Sequence, residues 1–390
     1  MTVVRPTSVD ELRDAVMEAA RDGRRLEIRG GGSKTAIGAP RDPVILDMRG
    51  FAGVVDYDPA ELVLTAGAGT PLSEIEALVA GEGQMMAFEP FDHGPIFGES
   101  VGAATIGGVI AAGVAGSRRV TAGSARDHLL GFRAVSGRGE EFVAGAKVVK
   151  NVTGYDLPKL MAGSWGRLAA MTELTLKVLP RPRIVATMLA DNLDDDMAQA
   201  VMARALASHA EVSAAAHLPA AVNGGRAVTL LRVAGFAPSV EARCTLLPEL
   251  LRAECALRRS DGEEADALWA AVRYATPLDG PTLWRVHLPP STLCMLLKAV
   301  APLGARWVID WGGGLVWLEC AGPAEQIRGA AAVCGGQAML VRAPAESWAS
   351  IAAQHPRAAG VMALERRVRR AFDPAGVFET GRHLGETDAD

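Results

Sequence analysis

A chain of 390 residues, 49% hydrophobic and 22% charged, has material for two globular domains or one large one and is unlike a disordered or fibrous protein. Its net charge of −5 recommends neither nucleic acid nor an anionic membrane surface as the main partner. Five cysteines (Cys244, Cys255, Cys294, Cys320 and Cys334), odd in number, irregularly spaced and without a C-x-x-C, argue against a disulfide framework, a zinc site or an iron–sulfur cluster.

The first residues show no basic-then-apolar signal pattern, so a reduced, cytoplasmic setting is expected. The sequon Asn151-Val152-Thr153 is then unrelated to glycosylation. Ser8-Val9-Asp10-Glu11 reads as a capping box, with Leu12, Val16 and Ala19 following at helical spacing. A strand is expected over 26–29. Gly30-Gly31-Gly32 follow it, with Ser33 and Lys34 at their edge. Two readings of that run stand side by side. Bare amides with a hydroxyl and an ammonium make a phosphate cradle, and glycine-rich turns are common in hairpins. Under the first reading, a Cβ on Gly31 would occupy the space a phosphate oxygen needs and would disfavour the positive φ expected there.

Strands are expected at 44–48, 54–57 and 62–66, the last two paired around Asp58-Pro59, and a helix opened by Thr70-Pro71 runs to about 80. Residues 101–117 carry no charge and end before Arg118-Arg119, yet they are too short and too rich in glycine for a membrane span of about 20 residues. They suit close packing or contact with a flat ligand, and a helix starting near Thr105 would aim free amides at an anion. Tyr155 and Asp156 sit in a loop, Gly163-Ser164-Trp165-Gly166 is a turn, and 173–178 is a strand. Two prolines within 179–183 mark a boundary. Beyond it, strand-like runs at 184–189, 227–233, 283–288, 307–311 and 315–320 alternate with Ala- and Leu-rich helices, the pattern of an antiparallel sheet covered by helices. A last helix spans about 362–372.

Neither common nucleotide loop is present. Ser33 stands where a Walker A loop needs glycine before its lysine, and no G-x-G has its third glycine three residues on. His209, His217, His287 and His355 are scattered without ligand spacing. No metal site and no catalytic residue is assigned.

RGGGSK, TIGG with its small residues, GSRRVTAGSARDHLLGFRAV, TGYDLPKLMAGSWGRLAAMTELTLKVLP and FDPAGVFETGR occur in order. Together they resemble the FAD-binding family of the vanillyl-alcohol-oxidase or p-cresol-methylhydroxylase (PCMH) type. FEPFDHGPIFGESVGAATIGGVIAAGVAGSRR, WRVHLPP and DWGGGLVWLEC are further similar to the E-subunit family of glycolate oxidases (glycolate dehydrogenases). The resemblance implies an α+β fold: a PCMH-type FAD-binding domain of two α+β subdomains over 1–182, an α+β cap domain with an antiparallel sheet over 183–345, and a C-terminal helix and tail over 346–390. It implies FAD held by Arg29, Gly30, Gly31, Gly32, Ser33 and Lys34 at the pyrophosphate, by Thr105, Gly107, Gly108, Ala111 and Gly113 opposite, and by Gly163, Ser164 and Met171 toward the adenine or ribityl region. Lys34 follows the glycines and only His93 and His128 remain as attachment candidates, so non-covalent FAD is expected. Glu379 stands where many relatives carry Asn. The implied reaction is oxidation of glycolate to glyoxylate, beside a D-like flavin subunit and an F-like iron–sulfur subunit, with any contact to the inner membrane made through those partners. Such an oxidation needs a base and a cationic clamp for the carboxylate; Arg285 and Arg382 are the clamp candidates, each with a structural or interface role as its alternative. A self-sufficient 2-hydroxy-acid dehydrogenase and a flavin-free scaffold are the alternatives.

Overall fold

Ser8 begins the first helix, α1 (Val9–Asp22), by accepting the Glu11 amide at 3.2 Å. The box differs from the expected one: the Glu11 carboxylate takes the amide and hydroxyl of Thr7, at 2.7 and 3.0 Å. Gly23, at φ 67°, ends the helix in the left-handed conformation. Leu12, Val16 and Ala19 form one buried stripe, packed with Leu26, Leu46, Val135, Ala170 and Phe378. The computed structural model describes residues 2–145 and 154–383. The sequon, with the Thr153 that opens the TGYDLPKL block, and the residues after His383 lie outside them. The chain divides into two compact units, one of residues up to 116, 123–181 and from 356 onward, the other of 117–122 and 182–355.

In the first unit, β1 (Val3–Val4), β2 (Leu26–Arg29) and β3 (Val44–Asp47) make a parallel sheet in the order β1–β3–β2. The expected hairpin is β4 (Val54–Asp58) with β5 (Val63–Gly67), followed by α2 (Leu72–Gly81) and β6 (Gln84–Met85). Next come α3 (Ile106–Ala112), β7 (Leu129–Ser136), β8 (Glu141–Gly145), β9 (Ala169–Lys177) and β10 (Leu179–Pro180). The order β4–β5–β9–β7–β8 makes an antiparallel sheet, and β10 pairs with β6. Strand β9 begins four residues before the expected 173. Its first four residues are all buried, so they lack the alternation that marks a half-exposed strand.

The second unit is one eight-stranded antiparallel sheet of β11 (Ile184–Asp191), β12 (Ala214–Leu218), β13 (Val228–Gly235), β14 (Arg258–Ser260), β15 (Leu283–His287), β16 (Arg306–Asp310), β17 (Leu315–Glu319) and β18 (Gln337–Arg342). Its order is β14–β11–β13–β12–β16–β17–β15–β18. Register sorts its side chains into two faces. His217 pairs with Ile309, Ile309 with Val316, and Val316 with Val286, so these share a face. Helices cover it: Asp195, on the helix Asp195–Leu206, lies 3.5 Å from His217 Nε2, and Arg328, on the helix Ala324–Val333, sits over the Trp284 ring. Arg285 pairs with Trp317, His287 with Leu315, and Leu315 with Asp310, which places all of these on the other face.

Candidate functional site

Strand β2 delivers its last residue, Arg29, to the glycine run, and the loop turns along one wall of an open cavity of about 750 Å³, counting the solvent space at its mouth. The glycines differ in what they serve. A Cβ on Gly30 would lie 2.0 Å from Thr105 Oγ1, and one on Gly31 would lie 1.5 Å from the Ala103 carbonyl oxygen. These two are bare because the loop lies directly on 103–105. The positive φ falls at Gly32 (87°), not at Gly31, so the expectation for Gly31 is corrected on both counts. The amides of Gly31, Gly32, Ser33 and Lys34 donate to no described residue. Four adjacent unengaged N–H groups beside a cavity form a concave anion cradle.

Asp92, which no sequence signal singled out, fixes the floor. Its carboxylate accepts the amides of Gly94 (3.0 Å), Gly102 (2.9 Å) and Ala104 (2.9 Å), and the Ser33 hydroxyl. Burial pushes this carboxyl up, but the three amides and the hydroxyl outweigh it and hold it below the usual range. The Ser33 hydroxyl is therefore engaged within the protein, and it is its amide that remains for a ligand. Burial pushes Lys34 down to about 8, with the nearby Asp92 opposing and Arg382 adding to the shift. Its Nζ donates to Ser33 Oγ at 3.3 Å.

The opposite wall is α3. Thr105 caps it, accepting the Gly108 amide at 3.3 Å. The expectation that free amides at this helix start face an anion is not met, because the Ile106 amide donates to Thr70 O and the Gly107 amide to Ala68 O. Gly107 is small because a Cβ there would lie 2.7 Å from that Ala68 oxygen. Gly108 is different: only Thr105 Oγ1, at 3.3 Å, lies near the place of its missing Cβ, and the residue lines the cavity.

Of the residues expected to form the site, Arg29, Gly30, Gly31, Gly32, Ser33, Lys34, Thr105, Gly107, Gly108, Ala111 and Met171 line this cavity together. Gly113, Gly163 and Ser164 do not. Gly113 ends α3 at φ 65°, and the Gly163 amide bonds Ile110 O. With the Trp165 amide on Ala111 O at 2.8 Å, they form the turn that brings Trp165 and Gly166 to the cavity wall.

Sequence reasoning also missed Glu27 as a member of the wall. Burial pushes the Glu27 carboxyl up, but hydrogen bonds from Arg41 and Arg29 outweigh it and hold it below its ordinary value. Arg382 hydrogen-bonds the carbonyls of Lys34 and Ile37 and stacks over Trp165 at 4.9 Å, so it fastens the loop, which is the structural alternative to a substrate clamp. Glu379 accepts from Arg167 and Arg369. His93 stacks on Phe91 and His128 lies against Phe88; neither lines the cavity, nor does any described cysteine. His217 is buried on Thr229, and His355 Nδ1 accepts the Ala338 amide.

Residues 2–145 match the FAD binding domain family. The chain is 36% identical over 381 residues to the glycolate oxidase subunit GlcE of Escherichia coli (strain K12), covering 96% of this chain and 97% of that protein. It is 26% identical over 340 residues to the glycolate oxidase subunit GlcD of Bacillus subtilis (strain 168), with 79% and 69% covered. The solved structure of p-cresol methylhydroxylase with substrate bound has a TM-score of 0.70 at 14% identity, with 97% of this chain and 88% of that chain covered, which shows a shared α+β, PCMH-type fold. Similar to GlcE along nearly the whole of both lengths, and with its cavity built on the matched domain, the chain belongs to the family of the glycolate oxidase subunit GlcE and is an FAD-binding oxidoreductase.

Proposed function

We propose that the chain is the FAD-binding subunit of a complex that oxidises glycolate to glyoxylate, acting with a D-like flavin subunit and an F-like iron–sulfur subunit. The observation that carries this reading is the similarity to GlcE across both units, not across the FAD-binding part alone.

The cavity fits the cofactor. The unengaged amides of Gly31, Gly32, Ser33 and Lys34 suit a pyrophosphate, and the Lys34 ammonium adds a positive charge. Thr105, Gly107, Gly108 and Ala111 offer a smooth wall for the remainder, and Met171 and Trp165 offer apolar surface. Arg382 and Asp92 keep the two loops in register. Bound FAD would supply an acceptor for the two electrons leaving the alcohol carbon. No His or Cys among the described residues lines the cavity, which supports non-covalent binding. Among the described residues no helix is long and apolar enough to cross a membrane. In this reading, a cytoplasmic subunit meets the inner membrane through its partners.

Co-expression with the two partner subunits tests the proposal. The three chains are expected to copurify, to release their flavin on acid precipitation and to reduce a dye with glycolate. Flavin retained on this denatured chain would overturn the non-covalent assignment. A complex silent toward glycolate but active on lactate would overturn the substrate.

A further inference from the structure

Lys34, the cation at the edge of the anion cradle, is tied to a carboxylate through a hydroxyl. Its Nζ donates to Ser33 Oγ at 3.3 Å, and the Ser33 hydroxyl donates to Asp92. The protons along this chain admit one order. An ammonium only donates and an ionised carboxylate only accepts, so the single Ser33 proton points to Asp92 and a Ser33 lone pair to Lys34. One of the three Lys34 N–H groups is thereby spent, and two remain on a residue that lines the cavity.

Three of the four hydrogen bonds that Asp92 accepts stay within its own segment. Gly94 donates to Oδ1 at 3.0 Å, and Gly102 and Ala104 donate to Oδ2 at 2.9 Å each. These bonds shape residues 92–104 alone. The fourth crosses to the glycine loop and ends on the hydroxyl that Lys34 also uses. A half-buried ammonium is costly without a counter-charge, and the other charges around Lys34 supply none. Arg382, bonded to the Lys34 carbonyl, is of like sign. Glu27 is taken by Arg29 and Arg41, and α3 carries no charged residue. In the segment of Asp92 itself, the His93 ring lies on Phe91 and Glu99 is exposed. Burial works against the Lys34 charge, Asp92 favours it and Arg382 opposes it. Burial also pushes the Asp92 carboxyl up, but its hydrogen bonds outweigh this, so it stays negative through the neutral range.

We propose that Asp92 is a positioning residue for the cofactor, acting through the Ser33 hydroxyl to hold the Lys34 ammonium in place as the cation of the cradle. The inference rests on the proposed pyrophosphate site and adds to it a residue that does not line the cavity. Fluorescence titration of apoprotein with FAD across pH 6.5–9.5 tests it. Without the Asp92 charge, burial and Arg382 act on Lys34 unopposed, and Lys34 loses its proton at a lower pH. In Asp92→Asn, which keeps one acceptor oxygen, the midpoint of the fall in affinity should therefore move down by at least about half a pH unit. In a Lys34→Met background the same substitution should cost less affinity at about pH 8 than it does beside Lys34. Ser33→Ala leaves Asp92 on its three amides and removes the link, so it should move the midpoint in the same direction. Circular dichroism reports whether each variant folds, and Ser33→Ala decides should Asp92→Asn fail. A wild-type midpoint in either folded variant, or an equal loss from Asp92→Asn in both backgrounds, is what a merely structural role gives and overturns the inference. Full FAD affinity in Lys34→Met overturns the pyrophosphate site itself, and the inference with it.

Discussion

A side chain added at Gly108 would have one neighbour, Thr105 Oγ1, and otherwise open cavity before it. Gly108→Val is therefore expected to fill ligand space without disturbing packing, and valine tolerates a helix at least as well as glycine. Flavin content should fall at least about tenfold, read from absorbance per chain, while the thermal midpoint holds. Gly31→Val lacks this selectivity, since its Cβ strikes the Ala103 carbonyl and both fold and cofactor should suffer.

Lys34 adds a pH dependence. Its free pKa is about 8, and a bound diphosphate raises it, so binding takes up a proton wherever free Lys34 is neutral. FAD affinity is then full below pH 8 and falls as pH rises through it. Lys34→Met should remove that trend and weaken binding by roughly tenfold at neutral pH, about 1.5 kcal/mol, and Lys34→Arg should keep affinity without the trend. Fluorescence titration of flavin against apoprotein across pH 6.5–9.5 checks both. The glycine run could be read from sequence because its partners are neighbours and its composition is extreme. Arg382 could not, because the loop carbonyl it holds belongs to Lys34, 348 residues earlier.

At the scale of elements, the strands that escaped the sequence are those without its usual signs. Strand β12 opens with three alanines, residues of weak β-propensity, and every one of its residues is buried. Strand β14 is three residues with two arginines, and β18 shows no clean alternation. By contrast, α1 and the hairpin of β4 and β5 announced themselves through a cap, a periodic stripe and an Asp-Pro turn. The C-terminal Asp373-Pro374 has a concrete purpose in the fold. The Asp373 carboxylate accepts the amides of Val377 (2.8 Å) and Phe378 (2.7 Å), which directs both side chains into the core beneath α1. Asp373→Ala leaves two buried donors unpaired and should cost about 2–3 kcal/mol, read by denaturant unfolding. Asp373→Asn, which keeps one acceptor oxygen, should cost about half as much.

At the scale of the whole molecule, the proposed function asks where electrons go after they arrive. All five cysteines belong to the second unit and none is paired. Among the described residues, no three His, Cys, Asp or Glu side chains are grouped as metal ligands. The sequence spacing likewise suits no iron–sulfur cluster. The residues lining the cavity include Lys34 and Glu27, but Glu27 is committed to Arg41 and Arg29, so among the described residues no unengaged carboxylate or imidazole lines it as a base for an alcohol proton. The proposed function assigns this chain the holding of a flavin and leaves the rest of the catalytic cycle to its partners. The expected outcome is dye reduction with glycolate by the three-subunit complex, and a rate at or below about one hundredth of it from this chain alone, a gap of roughly 3 kcal/mol in the barrier. The purified chain should still be bleached by dithionite, which separates a competent flavin from an empty or damaged site. Robust glycolate turnover by the flavin-loaded single chain would overturn the dependence on partners and establish a self-sufficient dehydrogenase. Its base would then be sought outside the cavity-lining residues described above.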